Sequence, residues 1–256
     1  MPIYGRFLIN GAARHAEIDG DTAYFIDDLF GAARRSGESA AISGLQVLAP
    51  VAPSKLLAIG LNYADHAKES GKPLPDVPLM WIKAPSAIIA HNEAVQIAYP
   101  EHQTDYEGEL TIVIGKRCKG ATVENALDYV LGYTIGQDIS DRDVQFSESQ
   151  WARAKSFDTY APLGPYIHTD LDSSDLPVET RLNGEIKQQS STNQLVFNVP
   201  QLVAFLSESI TLEPGDCIMT GTPFGVGPIK DGDVIETRIG PMGPLVNPVR
   251  SRDCVK

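Results

Sequence analysis

Asp105-Tyr106-Glu107-Gly108-Glu109-Leu110-Thr111-Ile112-Val113-Ile114-Gly115 is the stretch on which the reading of the fold turns. The run after Glu109 is apolar and rich in β-branched residues, which marks a buried strand rather than a solvated one. Side chains alternate between the two faces of a strand, so Glu107 and Glu109 point the same way. Two like charges side by side next to a core repel each other unless a positive charge lies between them. A third carboxylate, Asp138, follows a second apolar stretch, Val130 to Ile135, and is placed to close the site. Three hard oxygen ligands suit Mg²⁺, Mn²⁺ or Ca²⁺ and suit Zn²⁺ less well. The alternative is that all three are solvated carboxylates on a rim.

Upstream, Lys55-Leu-Leu-Ala-Ile-Gly60 reads as another buried strand running into a turn. The segment from Asn62 to Ser70 is polar and mildly helical, and the prolines of Gly71–Pro78 forbid regular structure there. Such a segment beside a buried strand is a candidate lid. The first fifty residues differ from the rest. Asn10-Gly11 and Asp19-Gly20 punctuate the β-like runs Tyr4–Ile9 and Thr22–Ile26, and Asp28–Ser36 reads as a short helix. Leu48–Pro53 is an extended linker. The expected organisation is a small N-terminal α+β domain, residues 1–53, followed by a main domain, residues 54–256.

Downstream, Thr122 is placed to cap a helix over Val123–Leu131. Leu182-Asn183-Gly184-Glu185 is a hairpin turn. Asn198-Val-Pro-Gln201 starts a helix that runs to about Glu208, with proline tolerated in its first turn. Pro214-Gly215-Asp216 turns into a strand over Cys217–Thr220, and Lys230–Asp233 turns into Val234–Ile239. Strands dominate, helices are few, and strictly alternating βα units are absent. The expected fold is mainly β with a mixed or antiparallel sheet.

The chain has 256 residues, is 43% hydrophobic and 21% charged, and carries a net charge of -12. It has ample apolar material for a core, and its acidity argues against a nucleic-acid surface. Cys118, Cys217 and Cys254 are too far apart for a zinc knuckle or a disulfide framework. No charged and apolar leader opens the sequence and no apolar run reaches the length of a membrane span, so a cytoplasmic protein without membrane partners is expected.

Several pairs carry chemistry. His66 and Glu69 are spaced i, i+3, one face of a helix, where a carboxylate can orient an imidazole as general base. Unrelated polar residues on a surface helix are the other reading. Lys83 directly follows the apolar run Leu79–Ile82, and Lys155 sits in Arg153-Ala-Lys155-Ser-Phe-Asp158. Either ammonium can neutralise a carboxylate or an enolate, or simply be solvated. Thr220-Gly221-Thr222-Pro223 lets backbone and hydroxyls approach a ligand, and can equally be a tight turn.

The order and spacing of these motifs carry a resemblance. Gly-Leu-Asn-Tyr-Ala-Asp-His66-x-x-Glu69, Lys83, Asp-Tyr-Glu107-x-Glu109-Leu, Asp138-x-x-x-Arg142-Asp-Val-Gln145, Lys155-Ser-Phe-Asp, Pro-Leu-Gly-Pro and Thr-Gly-Thr222-Pro-x-Gly-Val-Gly together look like the fumarylacetoacetate hydrolase family, over about residues 55 to 250. Within it the chain resembles the short branch of acylpyruvate hydrolases, oxaloacetate decarboxylases and 2-hydroxyhepta-2,4-diene-1,7-dioate isomerases. The resemblance implies a distorted β-roll, usually homodimeric, and one Mg²⁺ or Mn²⁺ per subunit on Glu107, Glu109 and Asp138. It implies a catalytic His66–Glu69 dyad on a lid, a catalytic-site Lys155, and substrate contacts from Lys83, Arg142, Gln145 and Thr222. The substrates implied are small 2-oxo or 2-enol carboxylates, as in aromatic catabolism, reacting through an enolate at the metal. C–C hydrolysis of acylpyruvates leads, with isomerisation or decarboxylation as alternatives. A rival from another class is a non-catalytic metal- or ligand-binding module. Where many relatives have Cys, this chain has Ala161, and Trp151 stands in a loop that varies between relatives.

Overall fold

The computed structural model describes residues 2–65 and 73–251. Strand Gly108–Ile114 is buried along its whole length. It pairs antiparallel with Val130–Gln137 on one side and with Cys217–Met219 on the other. With both faces covered, its residues need not alternate between apolar and polar. Leu110, Ile112 and Ile114 join a core with Val178, Leu202, Leu206, Ile239 and Leu245. Val113 faces the opposite way into a second core with Leu56, Ala58, Trp81, Leu163 and Met219.

The central sheet has twelve strands. Its path runs from Arg35–Ala41 through Thr22–Ile26, Ala12–Asp19 and Ile3–Ile9 to Ala161–His168, Val130–Gln137, Gly108–Ile114, Cys217–Met219, Leu56–Gly60 and Leu79–Lys83. A five-stranded sheet, built around the antiparallel pairs of Pro177–Leu182, Val234–Ile239 and Met242–Ser251, covers the first core. Helix Val199–Ser209 packs beside it, closed at its start by a capping box between Asn198 and Gln201. The two sheets cross at Gly108. A Cβ there would stand 2.2 Å from the Thr180 hydroxyl, so only glycine fits. A small third sheet joins Thr104–Tyr106 to Ser140–Asp141 and Gly227–Pro228. The fold is mainly β, as expected, and the paired strands are mostly antiparallel.

Two expected helices are corrected. Asp28–Ser36 is not a helix: a turn at residues 29–32 leads through Ala33 into the strand Arg35–Ala41, and residues 2–53 contain strands and one 3-10 turn but no α-helix. The Asp27 and Asp28 carboxylates accept the amides of Asp28 and Phe30, a local bonding that competes with helix formation. The helix expected over Val123–Leu131 shrinks to a 3-10 turn at Ala126–Tyr129. Val130 and Leu131 already belong to the central strand. The hairpin at Leu182–Glu185 and strand Val234–Ile239 lie where the sequence put them. The segment expected to be a lid is described only at its ends, and Pro73–Pro78 carry no regular structure. Cys118 and Cys217 are buried free thiols, and Cys254 lies outside the described residues.

Candidate active site

The register of the central sheet brings the acidic residues together. Gly108 pairs with Gln137, so Asp138 lies directly across from Glu107, and its amide donates to the Glu107 carbonyl at 2.9 Å. Glu107, Glu109 and Asp138 are all buried and present carboxylate oxygens within 4.8 Å of one another. The rim reading of these residues therefore does not hold.

Three cations meet them. Lys155 donates all three of its protons, to Glu107 Oε2 at 2.8 Å, to Asp138 Oδ2 at 2.7 Å and to Ser140 Oγ at 2.7 Å. Arg142 donates to Asp105 Oδ2 at 2.7 Å, Glu107 Oε1 at 2.6 Å and Gln145 Oε1 at 2.7 Å. Lys83, at the end of its strand, is wholly buried and pairs with the other oxygen of Asp138. Glu109 accepts the Gly221 amide at 2.8 Å. Thr222 Oγ1 donates to the Gly108 carbonyl at 3.1 Å and receives Gln188 Nε2 at 2.8 Å.

Glu107 and Glu109 titrate in opposite directions. Burial opposes ionisation of Glu107, but the charges of Lys155 and Arg142 override it and hold the carboxyl at about 2. Glu109 is pushed well above the usual range by burial and by the charges of Asp138 and Glu107, against which Lys155 and the Gly221 amide are insufficient. Burial is also the largest influence on both lysines. It keeps Lys83 low, whereas Asp138 and Glu107 carry Lys155 high. An under-compensated buried carboxylate with two others in reach is the electrostatic signature of a cation site. The donor set is all oxygen and fits a hard divalent ion.

A cavity of about 300 Å³ opens onto this cluster. Glu107, Glu109, Arg142, Gln145, Lys155 and Thr222 line it, as do Gln103, Asp105, Trp81 and Trp151. Lys83 and its partner Asp138 are both fully buried, and neither is part of the lining. His66 and Glu69 lie outside the described residues. Sequence reasoning missed Asp105, Gln103 and Trp81. The alternation that set Glu107 beside Glu109 runs backwards to positions 105 and 103, and all four line the same cavity. It also missed the short helix Arg142–Ser147, which Asp141 caps by accepting the Val144 amide. That turn puts Arg142 and Gln145 on one face. A second grouping, His102 with Asp141 and Asp143, is of metal-ligating type. Its carboxylates are occupied by backbone amides of Val144 and Gln103.

Fold and site together define a β-roll enzyme built around buried carboxylates. The family model for the fumarylacetoacetate hydrolase C-terminal domain matches residues 55–250, and the chain belongs to that family. It is 38% identical to a 2-hydroxyhepta-2,4-diene-1,7-dioate isomerase from Mycobacterium marinum, with a TM-score of 0.92 over 99% of this chain and 100% of that one. It is 40% identical over 220 residues to a mitochondrial oxaloacetate tautomerase of Xenopus laevis, covering 81% of this chain and 69% of that protein. A maleylpyruvate hydrolase from Sphingobium shares 28% identity and a TM-score of 0.81, over 98% of this chain and 100% of that one. Members of this family include isomerases, tautomerases and hydrolases. Among the described residues no helix is long and apolar enough to cross a membrane.

Proposed function

We propose that the chain is a divalent-cation-dependent enzyme for small 2-oxo or 2-enol carboxylates and that it hydrolyses a C–C bond of acylpyruvate-type substrates. The observation that carries this reading is the buried set of Glu107, Glu109 and Asp138, of which Glu107 and Glu109 line the cavity and Glu109 is left short of positive charge. Mg²⁺ or Mn²⁺ on these three residues would act as a Lewis acid on the 2-oxo acid end of the substrate.

The chain's own groups then have distinct tasks. Arg142 and Lys155 add positive charge where an enolate develops, and both are held rigidly by their carboxylate partners. Lys83 fixes the orientation of Asp138 through their buried ion pair. Gln145 and Thr222 offer polar groups to the substrate. In hydrolysis, His66 with Glu69 takes a proton from water as its oxygen attacks the distal carbonyl. The bond between that carbonyl carbon and its neighbour breaks, its electron pair forms the enolate, and protonation of the enolate carbon completes the product. Tautomerisation or isomerisation is the second reading. It uses the same enolate with a proton moved between positions, and the names of the Xenopus and Mycobacterium marinum relatives favour it. We place the enzyme in the cytoplasm as a homodimer, with residues 1–53 as an appended unit and 54–256 as the catalytic domain.

Turnover of acylpyruvates, oxaloacetate and dienoates, measured with Mg²⁺ and with excess EDTA, tests this. Cation-dependent cleavage of acylpyruvates is expected. Undiminished activity in EDTA would remove the cation from the mechanism. Proton exchange without cleavage would favour the second reading.

A further inference from the structure

Helix Arg142–Ser147 carries two polar side chains of the cavity, Arg142 and Gln145, yet it has only six residues. A helix of that length does not hold itself together. Its buried residues are Val144 and Gln145, while Phe146 stands 74% exposed. What fixes its place is its first turn, which is tied to the segment just before the carboxylate strand. The His102 Nδ1 lies 2.8 Å from Asp141 Oδ2 and 3.1 Å from Oδ1. The same carboxylate accepts the Val144 amide at 2.9 Å and so caps the helix. The Arg142 amide donates to the Gln103 carbonyl at 2.8 Å, and the Gln103 amide donates to Asp143 Oδ2 at 2.8 Å. Thr104 pairs with Asp141 in the small sheet. Residues 103 and 104 make these ties with backbone. The tie from His102 depends on a side chain.

His102 is seated for that task. Its ring lies against Tyr99 with centroids 4.7 Å apart and planes at 34°, and its amide donates to the Tyr99 carbonyl at 3.0 Å. Tyr99 in turn meets Phe157 edge to face at 5.6 Å, on the segment that carries Lys155. Asp141 is fully buried, and an ionised carboxylate only accepts, so the bond needs a proton on Nδ1. That bond is also the main reason the imidazole is held above its usual range. The charges of Asp141, Asp143 and Glu101 act the same way, and burial acts against them. His102 itself does not line the cavity.

At the far end of these contacts is a guanidinium with no slack. Arg142 divides its donors between Asp105, Glu107 and Gln145 at 2.6–2.7 Å. The fork is planar and rigid, so all three bonds close only when the backbone at position 142 is correctly placed. A misplacement of about 1 Å caused far from the chemistry can cost on the order of 10²-fold in rate.

Building on the function proposed above, we propose that His102 is a positioning residue for Arg142: through the Asp141 carboxylate it holds the start of the short helix where the guanidinium meets Asp105, Glu107 and Gln145.

In the unaltered protein, ring nitrogen chemical shifts measured by NMR should mark Nδ1 of His102 as protonated. A ring protonated at Nε2 alone would overturn the proposal without any variant. His102→Phe keeps a ring against Tyr99 and removes the donor, whereas His102→Asn keeps a donor near the place of Nδ1 and removes the ring. The Nε proton of Arg142, identified by its loss in Arg142→Lys, should shift and exchange faster in His102→Phe and stay in place in His102→Asn. With saturating Mg²⁺ and acetylpyruvate, His102→Phe should lose up to about 10²-fold in kcat, and His102→Asn should recover most of that loss. Added to Arg142→Lys, His102→Phe should cost almost nothing more, because both remove the same placement. Losses that multiply would overturn the action through Arg142. An unmoved Nε proton in His102→Phe, or equal damage in the Phe and Asn variants, would overturn the positioning role. Absence of acetylpyruvate cleavage by the unaltered protein would count against the proposed function alone, and the Arg142 proton would then support or overturn the role of His102.

Discussion

The N-terminal strands and the cavity floor treat charge in opposite ways. Between residues 3 and 48, ion pairs such as Arg14–Glu38 lie on the sheet surface in contact with water. At the cavity floor, Lys155, Lys83, Glu107 and Asp138 are withdrawn from solvent almost completely. Exposed pairs add little to stability because water screens them. Buried charges are costly to place and more costly to leave unpaired. The contrast shows where this chain accepts electrostatic strain: at the residues proposed to hold the cation, and not in the sheet that flanks them.

The largest effect should come from the residue with the least compensation. Glu109→Gln should cost at least about 10²-fold in turnover, since even outer-shell changes at metal sites cost 10- to 100-fold. Its effect on stability should have the opposite sign. The folded-state pKa of Glu109 is raised, so its contribution to stability is present at low pH and is lost as pH rises through that value. In EDTA at neutral pH the Gln variant should therefore melt above the wild type. A variant that is both less active and less stable in EDTA would contradict the charge deficit described here.

Lys155→Ala comes next. Removing one partner of a buried pair strands Glu107 and Asp138, at a cost of about 3–5 kcal/mol. Denaturant melts in EDTA should show this loss, and saturating Mg²⁺ should recover part of it by supplying charge to the same oxygens. An equal deficit with and without Mg²⁺ would place the cation elsewhere.

A smaller effect belongs to the N-terminal strands and to pH. Burial lowers the pKa of His15, aided by Arg6 and opposed by its hydrogen bond to the Pro50 carbonyl at 3.1 Å. The unfolded chain then binds the proton more readily than the folded one. The contribution of His15 is thus complete above its unfolded value of 6.5 and is lost as pH falls below it. Glu107 behaves likewise in a far more acidic window, complete above 4.5 and lost as pH falls toward about 2. His15→Asn should flatten the stability profile below pH 6.5 without touching the acidic limb, which Glu107→Gln should flatten instead. The smallest change is Arg14→Ala, expected within ~0–1 kcal/mol by thermal melt. A loss comparable with that of Lys155→Ala would erase the contrast between the two regions.

Much of this architecture is legible in local sequence. The apolar run after Glu109, the Asn-Gly turn at 183–184 and the Asn198 cap each depend on neighbours a few residues away. The two misplaced helices are failures of the same locality. Asp27 and Asp28 have good cap chemistry but use it on a turn, and Val130 is claimed by a strand partner far along the chain. In the site, strand alternation exposes the carboxylates but not their counter-ions. Lys155 reaches Glu107 across a separation of 48 residues and Lys83 reaches Asp138 across 55. Periodicity has nothing to say about such pairs. The local sequence offered Lys155 as either a site cation or a solvated lysine, the family resemblance supplied Arg142 and a catalytic-site role for Lys155, and the bonding of both to Glu107 is a finding of the structure.

Strand Ile3–Ile9 contributes more than a flank. It pairs with Ala161–His168 at Ile3–His168 and Tyr4–Ile167, and the next strand in the sheet is the one that leads into Asp138. A chain cut before residue 54 would therefore bare the amides and carbonyls of an interior strand along part of its length. Such a row is a template for intermolecular pairing. The first strand thus acts as a guard against self-association, and the shortened protein would be recognised by its loss of solubility before any loss of catalysis.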